Sequence, residues 1–272
     1  ETVYSARVPT VAQADVVVVG GGPAGVCAAT AAARHGARTL LLEQYGCLAG
    51  MMTLGLVTPI GAHLSRSGTR FGGILWEVLD RIAAECAQVA GGSGHRHSAP
   101  HIAKHVLLST VTGSNVDLRL HTTLVDAWRD GATIAGLVVH TKSGLARIDG
   151  RQFIDASGDG DLVARAGEEF VLGSEPGVLA SLAATGLDRV HEDDRTCSDY
   201  GGAGHLQPVS IMFTMANVDG ARARPLINRR LTYADLGLTR EAFLALPYAN
   251  TPGFTVDGDD LPLPQGQVVA VD

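Results

Sequence analysis

The hydrophobic positions near the start of the chain form two short runs separated by a glycine-rich turn. Residues 16–19 are four consecutive valines, which is typical of a strand buried on both faces of a parallel sheet. Pro23 stands where a helix can begin, small helix-forming residues follow it, and Gly36 lies where a helix C-terminal glycine belongs. A second apolar run, 39–42, ends at Glu43. The pattern predicts one β-α-β unit.

Downstream, the pattern predicts further helices and a series of short strands. Helical spacing of apolar residues predicts helices over 74–90, 101–111 and 162–166. Alternating residues predict strands over 116–121, 123–128, 134–141, 145–149, 151–155 and 209–218. Asp130-Gly131 and Ser143-Gly144 are typical hairpin turns. The intervening residues 46–73 have little periodicity, and we expect a loop of the kind that carries function.

These elements predict an α/β fold with a Rossmann-like domain, a parallel sheet with helices on both faces, and a β-meander. We expect this domain over 14–172, with 54–115 as a helical and loop insertion. Residues 173–272 are expected to begin a second, substrate-binding domain that is incomplete.

Composition narrows the range of partners. Of the 272 residues 46% are hydrophobic, and Lys+Arg number 21 against 28 Asp+Glu, for a net charge of -7. No polybasic block is present, so we expect neither nucleic acid nor a membrane surface as a partner. The four cysteines are scattered without a CxxC pair, which favours reduced thiols and a cytoplasmic protein.

The strongest motif is a glycine fingerprint between the first strand and the first helix. Gly20, Gly22 and Gly25 match GxGxxG, whose glycines permit a tight turn, close approach of a pyrophosphate, and close helix–strand packing. The helix that begins at Pro23 offers the free N–H groups of its first turn, such as that of Ala24, and its positive dipole end to phosphates. Glu43 follows about 20 residues on, as the dinucleotide fingerprint requires, and is expected to bind a ribose hydroxyl.

Four segments together resemble one family. These are LLEQYGCLAGMMTLGLV at 41–57, the meander, FIDASGDGDLVARAGEEF at 153–170 and LQPVSIMFTMANVD at 206–219. In this order they resemble the FAD-dependent oxidoreductases of the two-dinucleotide-binding-domain flavoproteins, relatives of the glutathione-reductase and fumarate-reductase type enzymes. The resemblance covers about 15–219 and implies FAD as the cofactor.

The resemblance also implies a role for individual residues. Gly20, Gly22 and Gly25 would bind the pyrophosphate, Glu43 the ribose, and Gln44 would flank the adenosine. Val125 would offer its backbone to the adenine. Two further segments are implied as cofactor contacts. One runs beside the pyrophosphate and flavin and consists of Ala49, Gly50, Met51, Met52 and Thr53. The other matches the family's Ala-Thr-Gly turn near the cofactor and consists of Ala156, Ser157 and Gly158.

Two departures from the family pattern change what we expect. The family has Gly-Gly-Thr where this chain has Ala49-Gly50-Met51, so the hydroxyl of that threonine is missing here. The family's later glycine-rich turn, which reaches the ribityl chain and flavin ring, has no counterpart in these 272 residues. We therefore expect a second polypeptide, or a missing C-terminal half, to complete the flavin site.

Candidate catalytic residues follow the flavin-proximal segment. His63 suits a base that takes a proton while hydride leaves for the flavin, and Arg66 and Arg70 could stabilise a reduced, anionic ring. The alternative is that all three are ordinary surface residues. Cys47, close to the expected cofactor path, is either a buried thiol or a redox group.

Two further clusters were weighed as metal sites. The cluster His95, His97, His101 and His105 has no carboxylate near it, so solvated histidines are favoured over a metal site. The aspartates at 155, 159 and 161 do not fit an EF-hand, and they are interpreted as closing a turn near the cofactor. No metal is predicted.

The predicted function is an FAD-dependent oxidoreductase that transfers hydride between a small organic substrate and the flavin. One alternative is an NAD-dependent dehydrogenase, against which the meander and the glycine turn at Gly158 speak. The other is a non-catalytic subunit that holds only the adenosine half of FAD.

Overall fold

A computed structural model describes residues 7–58, 72–90 and 99–170, together with the single residues 239 and 242. Side chains in the second range are described as far as residue 86. The elements are the strands β1 Thr10–Val19, β2 Thr39–Leu42, β3 Asp117–Arg119, β4 Thr123–Asp130, β5 Thr133–Thr141 and β6 Gly144–Asp155, and the helices α1 Pro23–Arg34, α2 Gly73–Ala90, α3 Pro100–Gly113 and α4 Asp161–Arg165.

The strands form one six-stranded sheet in the order β3-β2-β1-β6-β5-β4. β3, β2, β1 and β6 are parallel, with Val19 opposite both Leu42 and Asp155. β6, β5 and β4 are antiparallel and form the meander. Because β1, β2 and β6 end at the same edge, the turns that follow Val19, Leu42 and Asp155 lie side by side, which is where open α/β sheets bind ligands.

The first helix ends as its sequence predicts. Gly36 adopts a φ of +87°, and its N–H donates to Ala33 O while the N–H of Ala37 donates to Ala32 O. This pair of hydrogen bonds is the Schellman motif, which requires the left-handed conformation that glycine adopts without strain. The chain therefore reverses directly into β2.

The two faces of the sheet carry separate cores. Val18 and Leu41 point to the face covered by α1, α2 and α3, where they join residues such as Val26, Ile82 and Val106. Alternate residues of β1 and β2 point to the other face: Val17, Val19, Leu40 and Leu42. There they join a second core with residues of the meander and α4, namely Leu137, Val139, Ile148 and Leu162. The uninterrupted apolar runs of β1 and β2 thus reflect burial on both faces.

The predicted α/β class, parallel sheet and meander are confirmed, with three differences in detail. β1 begins at Thr10 because residues 10–14, before the valines, also pair with β6. β6 is one strand, although two were predicted on either side of Gly150. On the second face the meander provides most of the cover, and α4 is the one described helix there.

Contacts divide the chain into two compact units, Glu1–Phe170 with Val271–Asp272 and Val171–Ala270. The predicted domain boundaries stay a prediction, and the strand predicted over 209–218 lies outside the described residues. Within the described part of the chain, no helix is both long and apolar enough to cross a membrane.

Candidate functional site

The glycine fingerprint forms the turn between β1 and α1, and its three glycines meet different surroundings. Gly20 has a φ of +101°, and a Cβ there would overlap the carbonyl of Ala156. A Cβ on Gly25 would overlap the carbonyl oxygen of Gly20. Among the described residues, no atom lies within 4 Å of a Cβ built on Gly22. Gly20 and Gly25 therefore allow close backbone packing, and Gly22 leaves room in front of the helix of the kind that a pyrophosphate needs.

The N-terminus of α1 is open toward this space. Gly22 is the N-cap residue in an extended conformation, and no described side chain caps the helix. Pro23 has no N–H, and the first intrahelical bond runs from Val26 N–H to Gly22 O. The amides of Ala24 and Gly25 have no acceptor within the helix, because the first turn of any helix lacks them. Together with the helix dipole they suit an anion, and the geometry fits the pyrophosphate of a dinucleotide.

Glu43 lies at the carboxyl end of β2, beside the glycine turn. Its side chain is buried, and its Oε2 accepts a hydrogen bond of 2.7 Å from Gly21 N–H while its Oε1 accepts one of 2.8 Å from Tyr45 N–H. Each carboxylate oxygen has a further lone pair, so the group can still accept from a hydroxyl. The next residue, Gln44, is exposed. The negative charge beside the turn would repel a phosphate on the ribose 2′ position.

The loop after β2 contacts the glycine turn through its backbone. The N–H of Ala49 donates to Gly21 O over 2.8 Å, and a Cβ on Gly50 would lie 3.5 Å from the Cα of Gly22. Ala49 is fully buried and has a φ of +82°, a left-handed conformation that costs a non-glycine residue free energy. Alanine in place of the family's glycine therefore leaves the backbone strained at this position.

The side chains of this loop have distinct environments. Gly50–Met52 forms a 3-10 turn. Met51 is 64% exposed and Met52 is half-buried. Thr53 is buried, and its hydroxyl donates to Leu48 O over 2.7 Å. The Thr53 hydroxyl thus stabilises the loop itself, while the backbone of Gly50 faces the glycine turn.

A second turn, Ala156–Gly158, follows β6 and lies against Gly20. The N–H of Ala156 donates to Val19 O, which extends the sheet by one bond. Asp155 organises the turn, because its carboxylate accepts from the N–H and the hydroxyl of Ser157 and from Val163 N–H at 2.7–3.0 Å. Burial raises the pKa of Asp155, but these hydrogen bonds outweigh burial and hold the pKa below its usual value.

Val125 lies at a β-bulge in β4. The pairing passes from Leu124 opposite Val139 to Asp126 opposite Val138, so Val125 is the extra residue. Such a residue leaves its backbone groups outside the ladder. The chain leading to it runs beside the Glu43 segment, since Thr122 N–H donates to Glu43 O over 2.9 Å. The bulge therefore provides backbone groups of the kind that the resemblance assigns to adenine recognition.

The structure brings the glycine turn, the residues from Glu43 to Thr53 and the Ala156–Gly158 turn to one sheet edge. His63, Arg66 and Arg70 lie outside the described residues, as do His95 and His97 and the segment 206–219. His101 and His105 are exposed on α3. Among the described residues, no group of three or more His, Cys, Asp or Glu side chains could hold a metal ion.

Two contributors to the site carried little signal in the sequence. Leu48 packs its side chain against Gly21, where a Cβ would stand 2.5 Å from the leucine Cδ2. Tyr45 contributes its N–H to Glu43. A sequence pattern does not reveal backbone donors or a single leucine in a loop, because neither recurs at a regular spacing. The role of Asp155 agrees with the predicted aspartate-closed turn.

The chain is similar to parts of several solved structures, of which three follow. A myxobacterial FAD-dependent chondrochloren halogenase is 18% identical, with a TM-score of 0.41 over 54% of this chain and 38% of its own. The THI4 protein of Thermovibrio ammonificans is 19% identical, with a TM-score of 0.42 over 60% of this chain and 67% of its own. A geranylgeranyl bacteriochlorophyll reductase-like protein from Thermoplasma acidophilum is 18% identical, with a TM-score of 0.40 over 58% and 43%. The chain thus spans less than half the length of the first and third proteins.

The family comparison covers more of the chain than these structures do. A model of the FAD dependent oxidoreductase family matches residues 15–257, which include the glycine turn, Glu43, the meander and the Ala156–Gly158 turn. The cofactor of that family is FAD, and the open space at Gly22, the uncapped α1 and the buried Glu43 all fit its pyrophosphate and adenosine. This chain therefore belongs to the FAD dependent oxidoreductase family.

Proposed function

We propose that this flavin-dependent enzyme transfers hydride between a small organic substrate and FAD. The observation that supports the proposal best is the open space at Gly22, which no described residue fills, in front of an uncapped helix N-terminus. When bound, FAD supplies the two-electron donor or acceptor, while the protein provides orientation and electrostatics.

The described residues would hold the adenosine and pyrophosphate half of the cofactor. Gly22 and the amides of Ala24 and Gly25 would donate to the pyrophosphate, and Glu43 would accept from a ribose hydroxyl. Gly50 would cover the pyrophosphate from the opposite side, since its backbone faces Gly22. The hydrogen bonds that Gly21 and Tyr45 donate to Glu43 keep this carboxylate fixed before the cofactor binds.

We further propose that His63 removes or returns a proton at the substrate, and that Arg66 and Arg70 stabilise negative charge on the reduced cofactor. The support is their sequence position directly after the loop that faces the glycine turn. The charge of the arginines can be tested without a known substrate. Replacing either arginine by glutamine should make the flavin reduction potential more negative by roughly 30 mV, the equivalent of tenfold in a two-electron equilibrium.

The matched control for this measurement is Arg151→Gln. The Arg151 side chain is 82% exposed and its ion pair is with Asp15 on β1, away from the glycine turn. We expect the Arg151 variant to keep the parental potential. If the potentials of Arg66→Gln and Arg70→Gln also stay within a few millivolts of the parent, then neither arginine faces the flavin.

A second polypeptide, or a further segment of the same protein, is proposed to complete the flavin site. The support is that the resemblance assigns a further glycine-rich turn to the flavin ring, and these 272 residues contain no counterpart of it. A non-catalytic role as the adenosine-binding half of a larger assembly is the second candidate. The support for this second candidate is that the glycine turn and Glu43 are features suited to the pyrophosphate and the ribose, which belong to the adenosine half of FAD.

The test is the visible absorption spectrum of the purified chain, with copurifying polypeptides resolved from the same sample. A flavin spectrum from the chain alone would mean that these residues suffice to hold FAD. A spectrum that develops only when a second polypeptide is added would support a shared site. A chain that stays colourless in both preparations would refute the proposal. The reduced cysteines Cys27, Cys47 and Cys86 support a cytoplasmic location as part of the same proposal.

A further inference from the structure

A cavity of about 300 Å³ lies between the loop after β2 and helix α3. The loop contributes Cys47 and Leu48, and α3 contributes His101, Lys104, His105 and Leu108. None of its lining residues belongs to the glycine turn or to the Ala156–Gly158 turn. Its size is at the lower end of the range that small-molecule sites occupy. The family resemblance assigns no cofactor contact to α3, although Cys47 of the loop stands close to the expected cofactor path.

The cavity combines an apolar interior with a cationic rim. The leucines 48, 108 and 120 supply the apolar lining. Lys104 and the two histidines follow one another at helical spacing, so they project from the same face of α3. None of the described lining residues is acidic.

The rim is positively charged in a chain whose net charge is -7. The sequence has no Asp or Glu between Glu85 and Asp117, so the whole segment that contains α3 is free of acids. Within the described residues, Lys104 takes part in no ion pair. A half-buried lysine without a carboxylate partner among the described residues, next to two imidazoles that can donate hydrogen bonds, is suited to an anion.

We propose that this cavity binds a small organic anion, in which an apolar body carries one carboxylate or phosphate group. The body would pack against Leu48 and Leu108, and the charged group would accept hydrogen bonds from Lys104 and the neighbouring imidazoles. The apolar lining excludes a bare inorganic ion as the best ligand, because most of the contact area would stay unfilled. The cationic rim favours an anion over a neutral molecule of the same shape.

The cavity lies next to the loop that contacts the glycine turn, but its lining does not include the glycine turn itself. Leu48 lines the cavity and also packs against Gly21 of the glycine turn. The next residue, Ala49, donates its N–H to Gly21 O. A ligand in the cavity would therefore rest on the segment that contacts the glycine turn, and the test has to separate the two sites.

The chain offers an internal control, because Lys104 and Lys142 are its two lysines. Lys142 is exposed in the turn between β5 and β6. The FAD-loaded protein is acylated with an N-hydroxysuccinimide ester, with and without phenyl phosphate, and each lysine is followed by peptide mass spectrometry. At a phenyl phosphate concentration about ten times its Kd, acylation of Lys104 should slow about tenfold and that of Lys142 should not change.

Two further probes test the two halves of the proposed ligand. Benzyl alcohol has the ring without the charge, and inorganic phosphate has the charge without the ring. Both should protect Lys104 less than phenyl phosphate does at the same concentration. Protection of Lys104 by inorganic phosphate to the same degree would overturn the apolar half of the proposal, and equal acylation rates of Lys104 with and without phenyl phosphate would overturn all of it.

Calorimetry on three variants gives an independent measurement. Lys104→Met should raise the Kd for phenyl phosphate about tenfold or more, since it removes a charge-assisted hydrogen bond. Leu108→Glu should also raise the Kd, because it adds a negative charge at a position that is already 43% exposed. Lys142→Met is the matched control and should leave the Kd unchanged.

Flavin absorbance of each variant distinguishes this cavity from the cofactor site. The proposal requires that Lys104→Met and Leu108→Glu keep the flavin content of the parent. If either variant loses FAD together with phenyl phosphate binding, the cavity belongs to the cofactor site and the proposal is overturned. An unchanged Kd in both variants would overturn it as well.

Discussion

Adding a methyl group should affect a different property at each of two glycines in the same turn: stability at Gly25 and FAD binding at Gly22. In Gly25→Ala the new Cβ would overlap the carbonyl oxygen of Gly20, and no side-chain rotation can relieve a clash with backbone. We expect a loss of at least about 2 kcal/mol in the free energy of unfolding, near the middle of the range for overpacked sites. In Gly22→Ala the Cβ would meet no atom of the described residues within 4 Å.

The stability of Gly22→Ala should therefore stay close to that of the parent. Gly22 has a φ of −67°, which alanine adopts without strain. Alanine is a poorer N-cap than glycine, but it also reduces the entropy of the unfolded chain, and each effect is about 0.5–1 kcal/mol in size. The two changes oppose each other. The methyl group would instead occupy the space in front of the helix amides, so FAD binding should be lost or strongly weakened.

Urea unfolding of the cofactor-free chain measures the first property, and the flavin-to-protein absorbance ratio after incubation with FAD measures the second. Where the site needs a second polypeptide, the ratio is taken with that polypeptide present. The reasoning would be refuted by a Gly22→Ala variant that binds FAD like the parent, or by one that is destabilised as much as Gly25→Ala.

Three further predictions concern stability and its dependence on pH. Ala49→Val should cost more than about 2 kcal/mol in urea unfolding, because a buried β-branched side chain is forced to a φ of +82°, while Ala49→Gly should change stability by less than about 1 kcal/mol. The pKa of Asp155 is lowered in the folded state, so the contribution of its carboxylate to stability is present above the unfolded pKa near 4 and is lost as the pH falls through the folded pKa. Asp155→Asn should reduce stability at pH 7 by about 1 kcal/mol and flatten the acid side of the curve of stability against pH. An unchanged curve would contradict this. Hydrogen bonds from Arg38 lower the pKa of Asp15 to about 2, which an NMR titration should show and which Arg38→Met should return toward 4.

The half of the fold built from parallel strands could be predicted because its sequence pattern has one physical cause. The valines of β1 and the run Thr39–Leu42 are buried on both faces of the sheet, and no other element of that length needs such continuous hydrophobicity. Gly36 marked the end of α1 because the Schellman motif needs a positive φ there. Local rules and tertiary packing agree in this region.

The errors of prediction arose where tertiary contacts override local signals. Gly150 falls between two predicted strands, but it lies inside β6. A glycine is needed there, since a Cβ would stand 2.8 Å from the ring of Phe153 and 2.9 Å from Val17. Glycine in this strand permits close packing and does not end the strand. The first half of β1 mixes small apolar and polar residues and has no continuous hydrophobic run, and its place in the sheet depends on pairing with β6.

The same reasoning explains why one end of the cofactor site can be identified from sequence and the other end cannot. The pyrophosphate end is made of backbone: the amides of α1, the space at Gly22 and the close packing at Gly20 and Gly25. Backbone geometry of this kind can be met only by glycine at fixed spacing, so the chemistry leaves a readable pattern in the sequence. A reacting end is made of side chains on loops, where any residue type can stand at any spacing. A histidine such as His63 becomes a base only through its neighbours in space, which is why its role has to be measured while that of Gly22 follows from geometry.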